Sequence, residues 1–135
     1  MIRWSLLIVA ALLATSAYAQ SPAAVLAHYE KLASASEQSF AADEGRGKTF
    51  YYAEQPYRQG KTISCTTCHG EQPTDTGRTR AFKPLKPLAP SVNPERLKEL
   101  KKVEKWLRRG CKDVFKRLCT PQEKADVIRY LISVK

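Results

Sequence analysis

Methionine, asparagine and histidine are almost missing from this chain: one methionine at position 1, one asparagine at 93, and two histidines, His28 and His69. With Met1 lost alongside a cleaved leader, no thioether remains to bind a metal. Two isolated histidines rule out a zinc site built on paired imidazoles. No strand pattern of useful length appears, which excludes a βαβ unit, and there are no internal repeats. No second hydrophobic span follows the first nineteen residues, so the mature part is expected to be soluble. At 135 residues and 43% hydrophobic content, the chain suits one modest core and leaves little room for a separate substrate domain.

Residues 1–19, MIRWSLLIVAALLATSAYA, carry one charge at Arg3, an apolar run from Trp4 to Ala14 and an Ala17-Tyr18-Ala19 ending. That is the anatomy of a secretory signal peptide cleaved after Ala19. That run of eleven residues is too short to span a bilayer about 30 Å thick. A single domain over 20–135 is expected to remain, with no stable membrane insertion. Loss of Arg3 takes the formal charge from +10 to +9. A basic exported domain points to an acidic protein, an anionic surface or an anionic ligand as partner rather than to nucleic acid. Export also permits disulfides, and all four cysteines, Cys65, Cys68, Cys111 and Cys119, lie in the mature part.

Helical signals recur along the mature chain. Ser21-Pro22 reads as an N-cap with proline at the first helical position, followed by Val25, Leu26, Tyr29, Leu32 and Ala33 at helical spacing. A second helix is expected near Asp43, with Gly45 and Gly47 before Phe50, Tyr51 and Tyr52. From Gly70 to Val92 the chain is rich in threonine, glycine and proline and reads as a long loop of the kind that wraps something. Asn93 is read as the N-cap of a helix whose inward stripe is Leu97, Leu100, Val103 and Leu107. Val114, Phe115 and Leu118 suggest a helical turn or two between the last cysteines. Thr120-Pro121-Gln122-Glu123 is a capping box opening a final helix with Ala125, Val127, Ile128, Leu131 and Ile132 on its apolar side. The expected fold class is all-α, with about five short helices.

The chemistry is concentrated in Cys65-Thr66-Thr67-Cys68-His69. Two thiols separated by two residues match the two vinyl groups of one haem, and the next residue presents an imidazole to the iron, which is the CxxCH arrangement of c-type haem attachment. Covalent anchoring lets a small domain retain haem and use it as part of its core. A thioredoxin-like CxxC lacks the strands it needs here. A zinc site lacks a second CxxC, since Cys111 and Cys119 are eight apart. A Cys65–Cys68 disulfide leaves His69 unexplained.

Gly47 and Tyr51 before the motif, and ADVIRYL at 125–131, resemble the crossing terminal helices of a class I cytochrome c. More specifically, SCTTCHG at 64–70, PLAPSVNPERL at 87–97, KKVEKWLRRGC at 101–111 and CTPQEKADVIRYL at 119–131 resemble the sphaeroides haem protein family over roughly residues 40–133. These are single-haem class I c-type cytochromes that bind oxygen and nitric oxide. The resemblance implies a disulfide between Cys111 and Cys119. It also implies an asparagine, just before the first of that pair, that ligates the oxidised iron and detaches on reduction. Here that position is Gly110, which has no side chain to offer.

His69 is thus the expected axial iron ligand, with Cys65 and Cys68 as thioethers to one haem c. Opposite it, the candidates are His28, Asn93, a lysine, water or nothing, and an open or water-occupied distal face beside Gly110 is favoured. Arg109 stays protonated, and Lys112 donates a lone pair only after losing its proton. Trp106, one turn before Gly110, is read as packing on the haem or as an ordinary buried tryptophan. The basic residues from Lys98 to Lys116 would steer an acidic partner or anionic ligand. The resemblance implies a dihaem cytochrome c and a membrane cytochrome b as redox partners in the periplasm, with a small diatomic ligand. The alternatives are a pure electron carrier with both axial positions filled and haem-based redox chemistry on oxygen or nitric oxide. No acid, base or nucleophile pattern supports a defined turnover reaction.

Overall fold

A computed structural model describes residues 21–135, and the leader expected at 1–19 lies outside them. Five α-helices account for nearly half of the described residues: α1 Pro22–Ser34, α2 Glu44–Tyr52, α3 Thr66–His69, α4 Leu100–Phe115 and α5 Pro121–Ser133. Two small antiparallel ladders join them, β1 Gln55–Pro56 with β2 Thr62–Ile63, and β3 Gly77–Arg78 with β4 Pro84–Leu85. At two residues a strand, these ladders are too short to leave an alternation in the sequence.

The helix starts follow their caps. Ser21 Oγ accepts from the Ala24 N–H, the Asp43 carboxylate accepts from Arg46 N–H, and Thr120 and Glu123 form a complete capping box ahead of α5. Between α1 and α5 lies one core cluster, with Val25, Leu26 and Tyr29 against Ala125, Ile128 and, from α4, Val103. The opposite side of α5 sends Val127, Tyr130 and Leu131 against Tyr51, with Cys65 and Leu88 packed at the margin. That second cluster joins the helical core to the cysteine motif.

Crossing of α2 and α5 depends on Gly47. A methyl group there would overlap the Asp126 carbonyl oxygen and crowd Tyr130 Cβ, 2.9 Å away. Alongside, buried Asp126 is fully engaged: Arg46 Nε and Nη2 each donate to it at 2.8 Å, and the Asp43 N–H donates at 2.7 Å. A buried carboxylate is tolerated only when paired and hydrogen-bonded in this way.

The region after the long loop departs from expectation. Asn93 does not cap α4. Its side-chain amide instead donates to the Pro87 carbonyl at 2.9 Å, and Arg96 Nε donates to the same oxygen at 2.8 Å. These bonds tie 93–96 to the loop, Leu97 turns left-handed at φ 60°, and α4 starts only at Leu100 behind an uncapped Glu99. Leu97 therefore packs on the core from outside the helix. At its other end α4 continues through Cys111 to Phe115 as one helix, leaving Leu118 outside it and exposed.

Gly47→Ala should destabilise the protein by about 1–3 kcal/mol through overpacking at the crossing, read as a lower denaturation midpoint with an unchanged slope. An unaltered midpoint would mean that the two helices separate freely there.

Candidate haem-attachment site

One helical turn carries the motif. Cys65 caps α3, its carbonyl accepts from the Cys68 and His69 N–H groups, and Gly70 ends the turn at φ 87°. Residues three apart on a helix share a face, so the Cys65 and Cys68 side chains face the same way. The threonines between them are structural. Buried Ser64 donates its N–H to Thr67 Oγ1 at 3.0 Å, and its hydroxyl is 2.6 Å from Thr66 Oγ1.

Residues outside the motif clamp this turn. From α2, Tyr51 Oη donates to the Gly70 carbonyl at 2.9 Å and Tyr52 Oη donates to that of Glu71 at 2.6 Å. From β3, Gly77 lies against the turn so closely that a methyl would overlap the Cys68 carbonyl and stand 2.8 Å from His69 Cα. Beyond it the Pro73 carbonyl accepts from Leu88 N–H and Ala89 N–H, at 2.8 and 2.9 Å, folding the long loop back toward the motif. Sequence reasoning identified Tyr51 only as helix packing and missed Ser64 and Gly77. The signal at 64 is a lone serine beside two threonines, and that at 77 is a lone glycine, which acquires meaning only once β3 and α3 are side by side.

The donor set fits a covalent haem. Cys65 and Cys68 are not paired with each other. Burial pushes the Cys65 thiol up to about 11, with Cys68 adding to the effect, so it is held protonated. Addition of a thiol across a vinyl group needs that proton as well as the sulfur, and forms a thioether without an oxidant. Burial, with the Arg96 charge adding to it, pushes His69 down to about 4. Its imidazole is therefore neutral at neutral pH and keeps a lone pair for iron.

The other expected site residues are dispersed. Gly110 lies in the latter part of α4, exposed, and a Cβ built on it would meet nothing within 4 Å. Trp106, one turn earlier on that face, is 52% exposed, with Lys105 and Arg109 over its ring at 5.4 and 5.3 Å. Cys111 and Cys119 are both buried with their sulfurs in contact and Cα atoms 5.7 Å apart. His28 borders a different hollow, with Tyr29, Leu32, Leu100 and Glu104. No residue of the cysteine motif lines it.

Fold and site together define a monohaem class I c-type cytochrome. A family model described as Domain of unknown function (DUF1924) matches residues 37–131. Cytochrome c-type protein SHP of Cereibacter sphaeroides is 45% identical over 127 residues, 93% of this chain and 95% of that protein. The chain belongs to the sphaeroides haem protein family and carries a covalently bound haem c. Cytochrome c'' of Methylophilus methylotrophus is 35% identical over 88 residues, 64% of this chain and 61% of that protein. Among solved structures, oxidised SHP, described as an oxygen-binding cytochrome c, matches with a TM-score of 0.74 at 40% identity, covering 85% of this chain and 98% of that one. Oxidised cytochrome c'' matches with a TM-score of 0.76 at 29% identity, covering 84% and 94% respectively. Among the described residues, no helix is long and apolar enough to cross a membrane.

Replacing Cys65 and Cys68 together by alanine should abolish covalent attachment. On a denaturing gel the variant is expected to lose haem-dependent peroxidase staining, and its intact mass should fall by one haem relative to the wild type. Retained staining would place the attachment elsewhere.

Proposed function

We propose that this protein is an exported, periplasmic monohaem cytochrome that accepts electrons from a redox partner and binds a small diatomic ligand, oxygen or nitric oxide, at its distal face. The observation that carries this reading is the glycine at 110, which offers no side-chain ligand where the family resemblance implies an asparagine. The oxygen binding described for the SHP structure supports the ligand class.

When bound, the haem supplies a one-electron iron centre, and the chain's own residues determine access to it. On the proximal side Tyr51, Gly77 and the Ser64–Thr67 bond hold the turn that presents a neutral His69. On the distal side no methionine remains in the mature chain to fill the sixth position, and the Asn93 amide is committed to Pro87. His28 belongs to the hollow beside α1. The Cys111–Cys119 contact, read as a disulfide, closes an eight-residue separation. Such a cross-link contributes roughly 2–3 kcal/mol in the chain-entropy model and would keep the end of α4 in place beside the haem.

The exposed face of α4 fits an acidic redox partner. Lys98 and Lys102 pair with Glu95 and Glu99, whereas Lys101, Lys105, Arg108, Arg109 and Lys112 have no ion-pair partner among the described residues. A dihaem cytochrome c and a membrane cytochrome b are the partners we assign, as the family resemblance implies. Electron-transfer rates with an acidic partner should fall steeply between low and physiological salt, and a flat profile would remove the steering role.

Optical spectra of haem-loaded protein, oxidised and reduced, before and after nitric oxide, test the ligand reading. A broad high-spin reduced spectrum that changes promptly on addition is expected. Gly110→Asn, which restores the family's amide, should convert the oxidised form to a sharper low-spin spectrum. A wild type that is low-spin in both states and inert to nitric oxide would instead be an electron carrier with both axial positions filled.

A further inference from the structure

Three separate segments converge on Tyr57. Pro56, Tyr57 and Arg58 come from the end of β1 and its connection to β2, Arg80 from the β3–β4 connection, and Asp113 and Lys116 from the end of α4. Together they line a hollow of about 430 Å³, room enough for a small ligand. The cationic groups of Arg58, Arg80 and Lys116 lie 6.0, 5.8 and 5.3 Å from the centre of the Tyr57 ring. One carboxylate, Asp113, faces these three cations, and it is 3.6 Å from Arg80 Nη2.

Hydrogen bonding in the hollow is equally one-sided. Arg80 Nη1 donates to Tyr57 Oη at 2.5 Å, so the phenol oxygen is an acceptor there and its own hydrogen has no acceptor among the described residues. Lys116 Nζ covers the Asp113 carbonyl at the end of α4, offsetting the negative end of the helix, and retains further N–H donors. Arg58 has no ion-pair partner among the described residues. Unspent donors and like charges are thus gathered around one aromatic ring, and an oxyanion satisfies both. Arginine forks and a phenol O–H are the groups that hold a carboxylate or phosphate.

We propose that this hollow is a binding site for a small oxyanion of the carboxylate or phosphate type, held by Arg80 and Lys116 with Arg58 and the Tyr57 hydroxyl. The anion has two available sources: a propionate of the protein's own haem, or a free anion from solution. The site stands apart from the ligand reading at Gly110, although Asp113 and Gly110 share a face of α4 three residues apart.

The test uses haem-loaded full-length protein and an Arg80→Gln/Lys116→Gln variant. Both side chains are exposed in the wild type, and helical circular dichroism together with haem staining checks that the variant folds. Backbone amide resonances are followed while acetate, then inorganic phosphate, replaces chloride at constant ionic strength. Saturable shifts at Arg58, Arg80 and Lys116 in the wild type, weakened about tenfold or more in the variant, identify a solution anion. The reduction potential is also measured against pH. Removal of two cations raises the pKa of a propionate held between them, so the propionate-linked step in the potential should move to higher pH in the variant. Without saturable shifts, that movement identifies the resident propionate. If neither is seen, and the potential merely falls evenly across the pH range as any lost positive charge requires, the proposal is overturned.

Discussion

Contact between Gly47 and the Asp126 carbonyl sets the distance between α2 and α5, and much of the structure depends on that distance. Only at this separation does Arg46 reach across to the buried Asp126 carboxylate while Tyr51 is fully buried against Val127, Tyr130 and Leu131. Once buried, Tyr51 directs its hydroxyl at the Gly70 carbonyl, the residue that ends the cysteine turn. A close approach of two backbones, available only to glycine, is thereby transmitted through one tyrosine to the position of His69. Burial then keeps that imidazole neutral. Core packing and ligand chemistry are consequences of one geometry.

The two sides of the haem site are built differently. Proximal residues are held redundantly, by the Ser64–Thr67 bond, the tyrosine pair, Gly77 and the loop pinned on the Pro73 carbonyl. Redundancy suits a ligand that must hold one orientation, because losing any single contact leaves others to restrain it. On the distal side proposed above, α4 would contribute Trp106 and Gly110, both exposed. With glycine at 110, no side chain of that residue would have to leave before a small ligand entered. The Cys111–Cys119 contact joins α4 to the segment just before α5.

Charge is unevenly distributed over this scaffold. Some cations are spent on structure: Arg46 on Asp126, Arg117 on Glu123, Lys124 on Glu104. Cations on the exposed face of α4 and around Tyr57 are largely not. Exposed ion pairs add little stability, so the unpaired set costs the fold little and leaves a field available to partners and ligands.

Local chemistry was legible in the residues themselves. CxxCH names its cofactor because thiol spacing and the adjacent imidazole match one haem, and the caps at Ser21, Asp43 and Thr120 mark helix starts through bonds to groups a few residues away. The absence of internal methionine and the glycine at 110 were likewise visible as composition. What required the tertiary structure was every contact between segments distant in the chain. Asn93 looked like a helix cap because its nearest neighbours fit one, yet the Pro87 carbonyl, reached by the folded loop, captured its amide and delayed α4 to Leu100. Gly77 and the cations at Tyr57 follow the same rule, for their roles depend on where β3, α3 and the end of α4 are placed. A sequence determines alone what short-range bonds and covalent spacing decide; close approach between distant segments is decided by the packing of the whole chain.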